Sequence, residues 1–156
     1  EGITPTVANV RPTSRGEINI ISNNIKDYPK IKMNYLSTDD DRYVAAQGLK
    51  LVRKIMLETE TFKKYKPEEY RPGLHVKDDE ELVKVGSDHT QTIFHPVGTC
   101  KMGKDENSVV DEKLKVHGIE NLRVIDASIM PNITSGNTNA PTIMIAEKGA
   151  DMILRS

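Results

Sequence analysis

The stretch SGNTNAPTIMIAEKGAD, at residues 135–151, carries the strongest structural signal in the chain. Pro141 is tolerated in the first turn of a helix, so we predict a final helix that begins beside it. Apolar and small residues lie on more than one side of this helix, which predicts that it is well buried: Ile143, Ile145, Ala146, Gly149, Ala150 and Ile153. The polar run before it is either a plain loop with an N-cap or, because a helix N-terminus carries partial positive charge, an anion site.

The residues that precede this stretch predict extended structure joined by loops. Residues 109–119 look like a short strand pair or hairpin, and Leu122–Ile125 is typical of a buried strand. Residues 126–139 then form a long polar loop that leads into the final helix. Residues 91–99 are expected to be extended or loop.

The N-terminal half combines two short strands with two helices. Residues 15–22 alternate in polarity, which predicts a half-buried strand, and residues 31–36 predict a second one, antiparallel to it. Thr38 is a good N-cap for a helix over Asp39–Thr59, with Val44, Gly48, Leu51, Val52 and Ile55 on one stripe. Asp78 and Glu81 start a second helix near residues 79–89. The fold class is therefore α+β, a mostly antiparallel sheet with packed helices.

Composition excludes several classes of function. The 156 residues include 22 Lys and Arg against 23 Asp and Glu, a net charge of −1, which argues against a general nucleic-acid binder. No apolar run approaches a membrane span of about 18 residues. The single cysteine, Cys100, rules out an internal disulfide. Because the chain begins at Glu1, we expect a piece of a longer protein whose localisation signal is not readable here.

His95 is the first candidate for chemistry. Pro96 disfavours helical geometry at His95, which places the imidazole on an extended or loop segment. The residues alone leave two interpretations open, a hydrogen-bonded structural histidine or a general base. The run from Gly98 to Asp105 nearly matches a phosphate-binding loop, but Asp105 replaces the hydroxyl residue that holds magnesium, so we reject a nucleotide site.

Three segments together resemble the C-terminal region of the glucose–methanol–choline (GMC) oxidoreductases. They are His95–Gly103, Leu122–Pro131 and Ser135–Asp151, in matching order and spacing. Ser14–Ile18 and the Asp39–Thr59 helix also resemble that family's substrate domain. Within the family, the chain most resembles glucose dehydrogenases that use FAD and quinones, followed by choline dehydrogenase.

The resemblance implies an FAD cofactor and an alcohol or sugar substrate. It places the catalytic base on His95, which would take the hydroxyl proton while hydride passes to the flavin, and a second active-site position on Asn137. An Asn amide hydrogen-bonds a substrate oxygen but is a poor second base. The resemblance assigns cofactor contacts to the remaining candidate positions, which are Asp126, Ala127, Asn139, Ala140, Pro141 and Thr142. No metal site is expected.

The family's glycine fingerprint for a dinucleotide, GxGxxG, does not occur among the ten glycines. We therefore expect residues 1–120 to be a partial substrate-binding domain and residues 121–156 to return to an FAD-binding domain whose N-terminal part is missing. Alone, such a chain should neither retain FAD nor oxidise alcohols. The expected partners are that missing domain, a small alcohol or sugar and an electron acceptor such as a quinone. Two alternatives are a non-catalytic fragment that binds a ligand or partner, and a flavin-containing lyase.

Overall fold

The computed structural model describes residues 2–155, which form two short strands and four α-helices. The elements, in chain order, are β1 (Glu17–Asn19), β2 (Lys30–Lys32), α1 (Asp39–Arg53), α2 (Glu60–Lys63), α3 (Asp79–Ser87) and α4 (Asn139–Leu154). A π-helical turn, Lys54–Glu58, continues α1, and a 3₁₀ turn, Ala127–Ile129, precedes α4. The prediction of an α+β fold is confirmed.

The chain divides into two compact units. Unit 1 contains the residues up to Gly16 together with Lys32–Thr92, and unit 2 contains Glu17–Ile31 and the residues from Ile93 onward. The boundary that we predicted at residue 120 falls inside unit 2. That boundary concerns the domains of a whole enzyme, so it stays a prediction.

Unit 1 is built on α1 and α3, which pack against each other. Both starts agree with the sequence analysis: the Thr38 hydroxyl accepts the Asp41 amide, and the Asp78 carboxylate accepts two amides of the first turn of α3. The helical stretch that begins at Asp39 runs through the π-helical turn, as predicted, and α3 ends two residues before the predicted end. Ala46 and Leu82 are fully buried.

The face of α1 that packs differs from the predicted stripe. Of the predicted stripe, Val44, Leu51 and Ile55 are exposed and Gly48 and Val52 are half-buried, whereas Ala46, outside the stripe, is buried. Gly86 in α3 lies against Leu49 in α1, since a Cβ placed there would meet Leu49 Cδ1 at an ordinary 3.4 Å. The helices therefore pack on a face that includes Leu49, which is not part of the predicted stripe.

The antiparallel pairing of β1 with β2 is confirmed, but the half-buried position is wrong. All six residues of the two strands are exposed, including Ile18 and Ile31. Alternating polarity predicts a buried face only when another layer covers it. In residues 2–155 the hairpin is a sheet of two three-residue strands.

Unit 2 has a small apolar core beneath α4. Its buried members are Val110, Leu114, Ile129, Met130 and Ile145. Isolated antiparallel bridges join Val110 to Val116 and Lys115 to Arg123, so residues 109–119 turn back on themselves as predicted, without forming a continuous ladder.

Two expectations for unit 2 are wrong. Leu122–Ile125 is not a buried strand, because it makes one isolated bridge and Leu122 is exposed. The final helix is not buried on several sides: Ile145 and Gly149 are buried, while Ile143, Ala146, Ala150 and Ile153 are exposed. A Cβ on Gly149 would lie 2.4 Å from Ile125 Cγ2, so α4 packs closely on one side, against the segment that contains Ile125.

Candidate active site

Main-chain hydrogen bonds hold the segment that follows His95. The amides of Gly98 and Cys100 both donate to the Ser128 carbonyl at 3.1 Å, and the Met102 amide donates to the Ile129 carbonyl at 2.8 Å. Gly98 has φ +91°, a left-handed conformation that other residues adopt only with strain. The segment is thereby fixed against the 3₁₀ turn, and His95 lies three residues before the first of these bonds.

The His95 ring meets the residue at the start of α4. Its Nδ1 lies 2.9 Å from Thr138 Oγ1 and accepts a hydrogen bond from the Thr138 backbone amide at 3.4 Å. Thr138 is buried, at 7% exposure, and His95 is half-buried. Two residues that are 43 positions apart in sequence are thus in contact, and His95 Nδ1 makes both contacts with Thr138.

The N-terminus of α4 has no compensating groups of its own. Its first residues, from Asn139 to Pro141, include no acid, and within the described chain the Thr138 side chain makes no capping bond to the helix. Asn139 and Ala140 are exposed. The first amides of a helix lack intrahelical acceptors and carry partial positive charge, so this end suits an anionic or electron-rich ligand.

The other predicted site residues fall around this point. Asn137 directly precedes Thr138 and is exposed, and Thr142 donates its hydroxyl to the Thr138 carbonyl at 2.6 Å. Pro141 is half-buried in the first turn of α4. Asp126 caps the 3₁₀ turn, because its carboxylate accepts the Ser128 amide at 2.8 Å, and Ala127 is half-buried within that turn. The roles predicted for these residues stay predictions.

The loop that resembles a phosphate site is a self-contained turn. The Asp105 carboxylate accepts hydrogen bonds from Ser108 Oγ at 2.7 Å and from Lys101 Nζ at 3.0 Å. The Ser108 bond and then the Lys101 bond lower the pKa of Asp105 to about 2. An ionised carboxylate in the loop repels phosphate, which agrees with the rejection of a nucleotide site.

Within residues 2–155, no group of three or more His, Cys, Asp and Glu side chains is arranged to hold a metal ion. The helices of the same part of the chain include none with the length and apolar character needed to cross a bilayer. Neither His95 nor Asn137 lines either of two concavities of about 440 Å³, one at residues 111–121 and one between α1 and α3. Among the candidate residues, Asn137, Asn139 and Ala140 are exposed.

Comparison with known families identifies the chain. A family model described as GMC oxidoreductase, for the C-terminal domain, matches residues 12–146. The chain belongs to the GMC oxidoreductases. The residue-level resemblance is confirmed, and the match includes His95 and the first half of α4.

The curated relatives of this GMC oxidoreductase chain are named for alcohol oxidation. An oxygen-dependent choline dehydrogenase of Pseudomonas fluorescens is 47% identical over 152 residues, which is 97% of this chain and 27% of that protein. An alcohol dehydrogenase [acceptor] of Pseudomonas putida is 47% identical over 154 residues, covering 99% of this chain and 28% of the relative. The chain thus spans about a quarter of the length of the curated relatives it matches. The narrower resemblance to glucose dehydrogenases stays a prediction.

Solved structures agree with this family. Pyridoxine 4-oxidase from Mesorbium loti superposes with a TM-score of 0.87 at 35% identity, covering 94% of this chain and 28% of the other. A formate oxidase of Aspergillus oryzae, whose structure concerns FAD modification, gives 0.84 at 36%, covering 92% and 25%. FAD is thus the cofactor of the family, and the uncompensated end of α4 fits such a group.

Thr138 was not predicted as a site residue. A Thr directly before a helix normally caps that helix, so its hydroxyl looks in the sequence like part of an ordinary helix entrance. In the structure, the hydroxyl lies against His95 instead. Only the fold brings the two residues together, so no spacing rule reveals the pair.

Proposed function

We propose that the chain is the catalytic C-terminal part of an FAD-dependent oxidoreductase that acts on CH–OH groups. The observation that carries the proposal is the contact of His95 with the start of α4. This contact brings a candidate base beside a helix end that favours negative charge. Oxidation of an alcohol requires both a base for the hydroxyl proton and a group that stabilises negative charge. FAD, when bound, supplies the hydride acceptor.

His95 is the proposed general base. With Nδ1 occupied by Thr138, Nε2 is the ring nitrogen left for a substrate hydroxyl. Histidine is the side chain that most often serves as a general base in enzymes. Asn137 is proposed to donate its amide N–H to the substrate oxygen, because an amide has no proton-accepting role there.

The end of α4 is the proposed contact for the electron-rich side of the flavin. Asn139 and Ala140 contribute first-turn amides, while Pro141, which has no N–H, and Thr142 shape the same turn. Asp126 and Ala127 are proposed as further cofactor contacts. We propose that the rest of the enzyme supplies the dinucleotide-binding part of the FAD site and closes the substrate pocket over Asn137, Asn139 and Ala140, which are exposed in this chain.

The names of the relatives suggest choline and simple alcohols as the first substrates to test, with sugars as the alternative. Either oxygen or a quinone is proposed as the electron acceptor. The full-length enzyme should be mixed anaerobically with choline, a primary alcohol or glucose while the visible flavin band is recorded. Bleaching by a CH–OH compound, with formation of its carbonyl product, is expected.

Tetramethylammonium is the matched control for choline, because it keeps the cationic group and lacks the CH–OH group. It should leave the flavin band unchanged. An oxidised band that persists with every alcohol and sugar, in a protein with stoichiometric FAD, would contradict the proposed function.

A further inference from the structure

Phe94, the residue directly before His95, combines a strained backbone with an exposed ring. Its φ is +66°, in the left-handed region that large side chains adopt only at a cost in free energy. Its exposed fraction is 83%. Glycine takes the same conformation without strain, and asparagine takes it with little. The chain therefore has a bulky ring at a position where the backbone favours a smaller residue.

Stability does not explain this ring. In residues 2–155, the other large apolar residues with a left-handed backbone are Leu36 and Leu114. Leu114 belongs to the core of unit 2 and is 3% exposed, so burial of its side chain offsets the strain. Leu36 is half-buried. Phe94 lacks comparable burial, and strained residues of this kind cluster at functional sites.

The ring lies beside the proposed base. Consecutive Cα atoms are about 3.8 Å apart, so Phe94 and His95 reach the same region of the site. A group bonded to the carbinol carbon of an alcohol lies close to the hydroxyl on which the base acts, and therefore within reach of the residue next to that base. Ile93 is exposed as well, at 53%. The segment thus presents apolar surface next to His95.

We infer that Phe94 is a specificity-determining residue whose ring packs against an aromatic or bulky apolar group on the carbinol carbon of the substrate. The inference deepens the proposed function and rests on it. Aromatic rings bury a large apolar area and form favourable offset or edge-to-face pairs with other rings. A short alcohol such as ethanol has no group to make this contact, so the ring should favour the larger alcohol.

The first test compares benzyl alcohol with ethanol as substrates of the full-length, FAD-loaded enzyme. Phe94→Gly should lower kcat/KM for benzyl alcohol by about 10- to 100-fold, the size of effect that apolar contacts have on specificity, and for ethanol by less than about threefold. Phe94→Tyr keeps a ring and should keep most of the preference. Tyr70→Ala removes another exposed ring, in unit 1, and should leave both values unchanged. A preference for benzyl alcohol that is the same in Phe94→Gly as in the wild type would overturn the inference.

The second test is the melting temperature of the same enzyme. Phe94→Gly should leave it unchanged or raise it, because strain is relieved and little burial is lost. Leu114→Gly is the matched core variant and should lower it. A fall in Phe94→Gly as large as that in Leu114→Gly would show that the ring packs in the folded enzyme for stability, and would overturn the inference. Loss of FAD from Phe94→Gly would assign the ring to the cofactor and would overturn it too.

Benzamide separates this inference from the proposed function, because it has a ring and a carbonyl but no CH–OH group to oxidise. Its dissociation constant, read from the change in flavin fluorescence, should rise about tenfold or more in Phe94→Gly. A wild type that shows this dependence but oxidises no alcohol would support the inference and contradict the proposed function. A wild type that oxidises alcohols, with neither benzamide binding nor alcohol preference dependent on Phe94, would do the opposite. A wild type that neither oxidises alcohols nor binds benzamide would overturn both.

Discussion

The N-termini of the helices in the two units are built differently. In unit 1, α1 and α3 each begin with three acids and with a side chain that caps the helix. In unit 2, α4 begins with no acid, and its preceding threonine contacts His95 instead of capping the helix. A missing side-chain cap lowers the free energy of unfolding by about 1 kcal/mol, so α4 is less stabilised at its N-terminus than α1 and α3.

The contrast between these helix N-termini distinguishes residues that stabilise the fold from residues that are candidates for function. The acids of α1 and α3 satisfy their own helix ends and stabilise the fold, which leaves nothing there for a ligand. The end of α4 has no acid or side-chain cap of its own, and we propose that its partial charge acts on a group outside the helix. Local rules of stability are expected to fail at functional sites, and here the failure coincides with the motif that identifies the family.

The largest effect on stability is expected from Asp41 in the first turn of α1. Its buried carboxylate accepts hydrogen bonds from Asn9, Thr13 and Ser14, which attach the N-terminal segment to the helix. Asp41→Ala should lower the free energy of unfolding by about 3 kcal/mol, because it removes the charged acceptor of three part-buried hydrogen bonds. Urea unfolding measures this. Asp40→Ala removes an exposed acid from the same turn and should cost a few tenths of a kcal/mol.

The same carboxylate predicts a pH dependence. Burial opposes its ionisation, but hydrogen bonds from Ser14 and Thr13 outweigh burial and lower the pKa of Asp41. A lowered pKa in the folded state means that the stabilisation is complete above the unfolded-state pKa of about 4 and is lost as the pH falls below it. Asp41→Asn should flatten this part of the acid unfolding curve, and an unchanged curve would contradict the assignment.

The next effect is expected at α4, where an acid would make its N-terminus resemble those of α1 and α3. Ala140→Glu should strengthen the helix but lower the rate of flavin reduction by about tenfold, because the carboxylate opposes negative charge at the site. Ala140→Gln is the matched neutral variant, and the ratio of the two rates is the measured quantity. Equal rates would show that the charge of this helix end has no part in catalysis.

A smaller effect is expected from the cap of α3. Asp78→Ala removes the acceptor of two first-turn amides and should cost about 1 kcal/mol in thermal unfolding. Asp88 lies at the opposite end of the same helix, where a negative charge is unfavourable. Asp88→Ala should therefore be neutral or slightly stabilising, and the reverse order of the two variants would refute the cap.

The smallest effects concern the glycines inside α3 and α4. Gly86→Ala should stabilise by about 0.5–1 kcal/mol, because its Cβ meets Leu49 at an ordinary 3.4 Å and alanine favours a helix. At Gly149 the new Cβ would lie 2.4 Å from the branched Ile125 side chain, so strain should cancel that gain and leave a net loss. Equal gains in melting temperature would show that α4 packs less closely against Ile125 than described.

The sequence predicts helix starts in unit 1 better than it predicts burial. Thr38 and Asp78 act locally, through amides two or three residues away, so their roles are readable from order alone. The burial of α4 and of Leu122–Ile125 depends on which segments pack against them. An apolar pattern in the sequence does not show which segments these are. The same holds for β1 and β2, whose alternation predicted a buried face that this chain does not cover.

The site was predicted in part. The motif around His95 and the stretch before α4 were both selected from sequence, and the structure joins them. Their contact runs through Thr138, which was not selected, because hydrogen bonds between residues 43 apart follow from the fold alone. The hydrogen bond between Asp126 and Ser128 is local, yet it was not predicted either. The family resemblance had assigned Asp126 to a cofactor contact, so its capping role was not considered.

The proposed role of His95 as the base is tested most directly by its removal from the full-length, FAD-loaded enzyme. His95→Ala should lower the rate of flavin reduction by a CH–OH substrate by about 10²- to 10⁴-fold, with FAD content near that of the wild type. His117→Ala is the matched control, because His117 is exposed and its Nε2 bonds the Gly103 carbonyl. It should react at the wild-type rate. An unchanged rate in His95→Ala would show that another group takes the proton and would contradict the account.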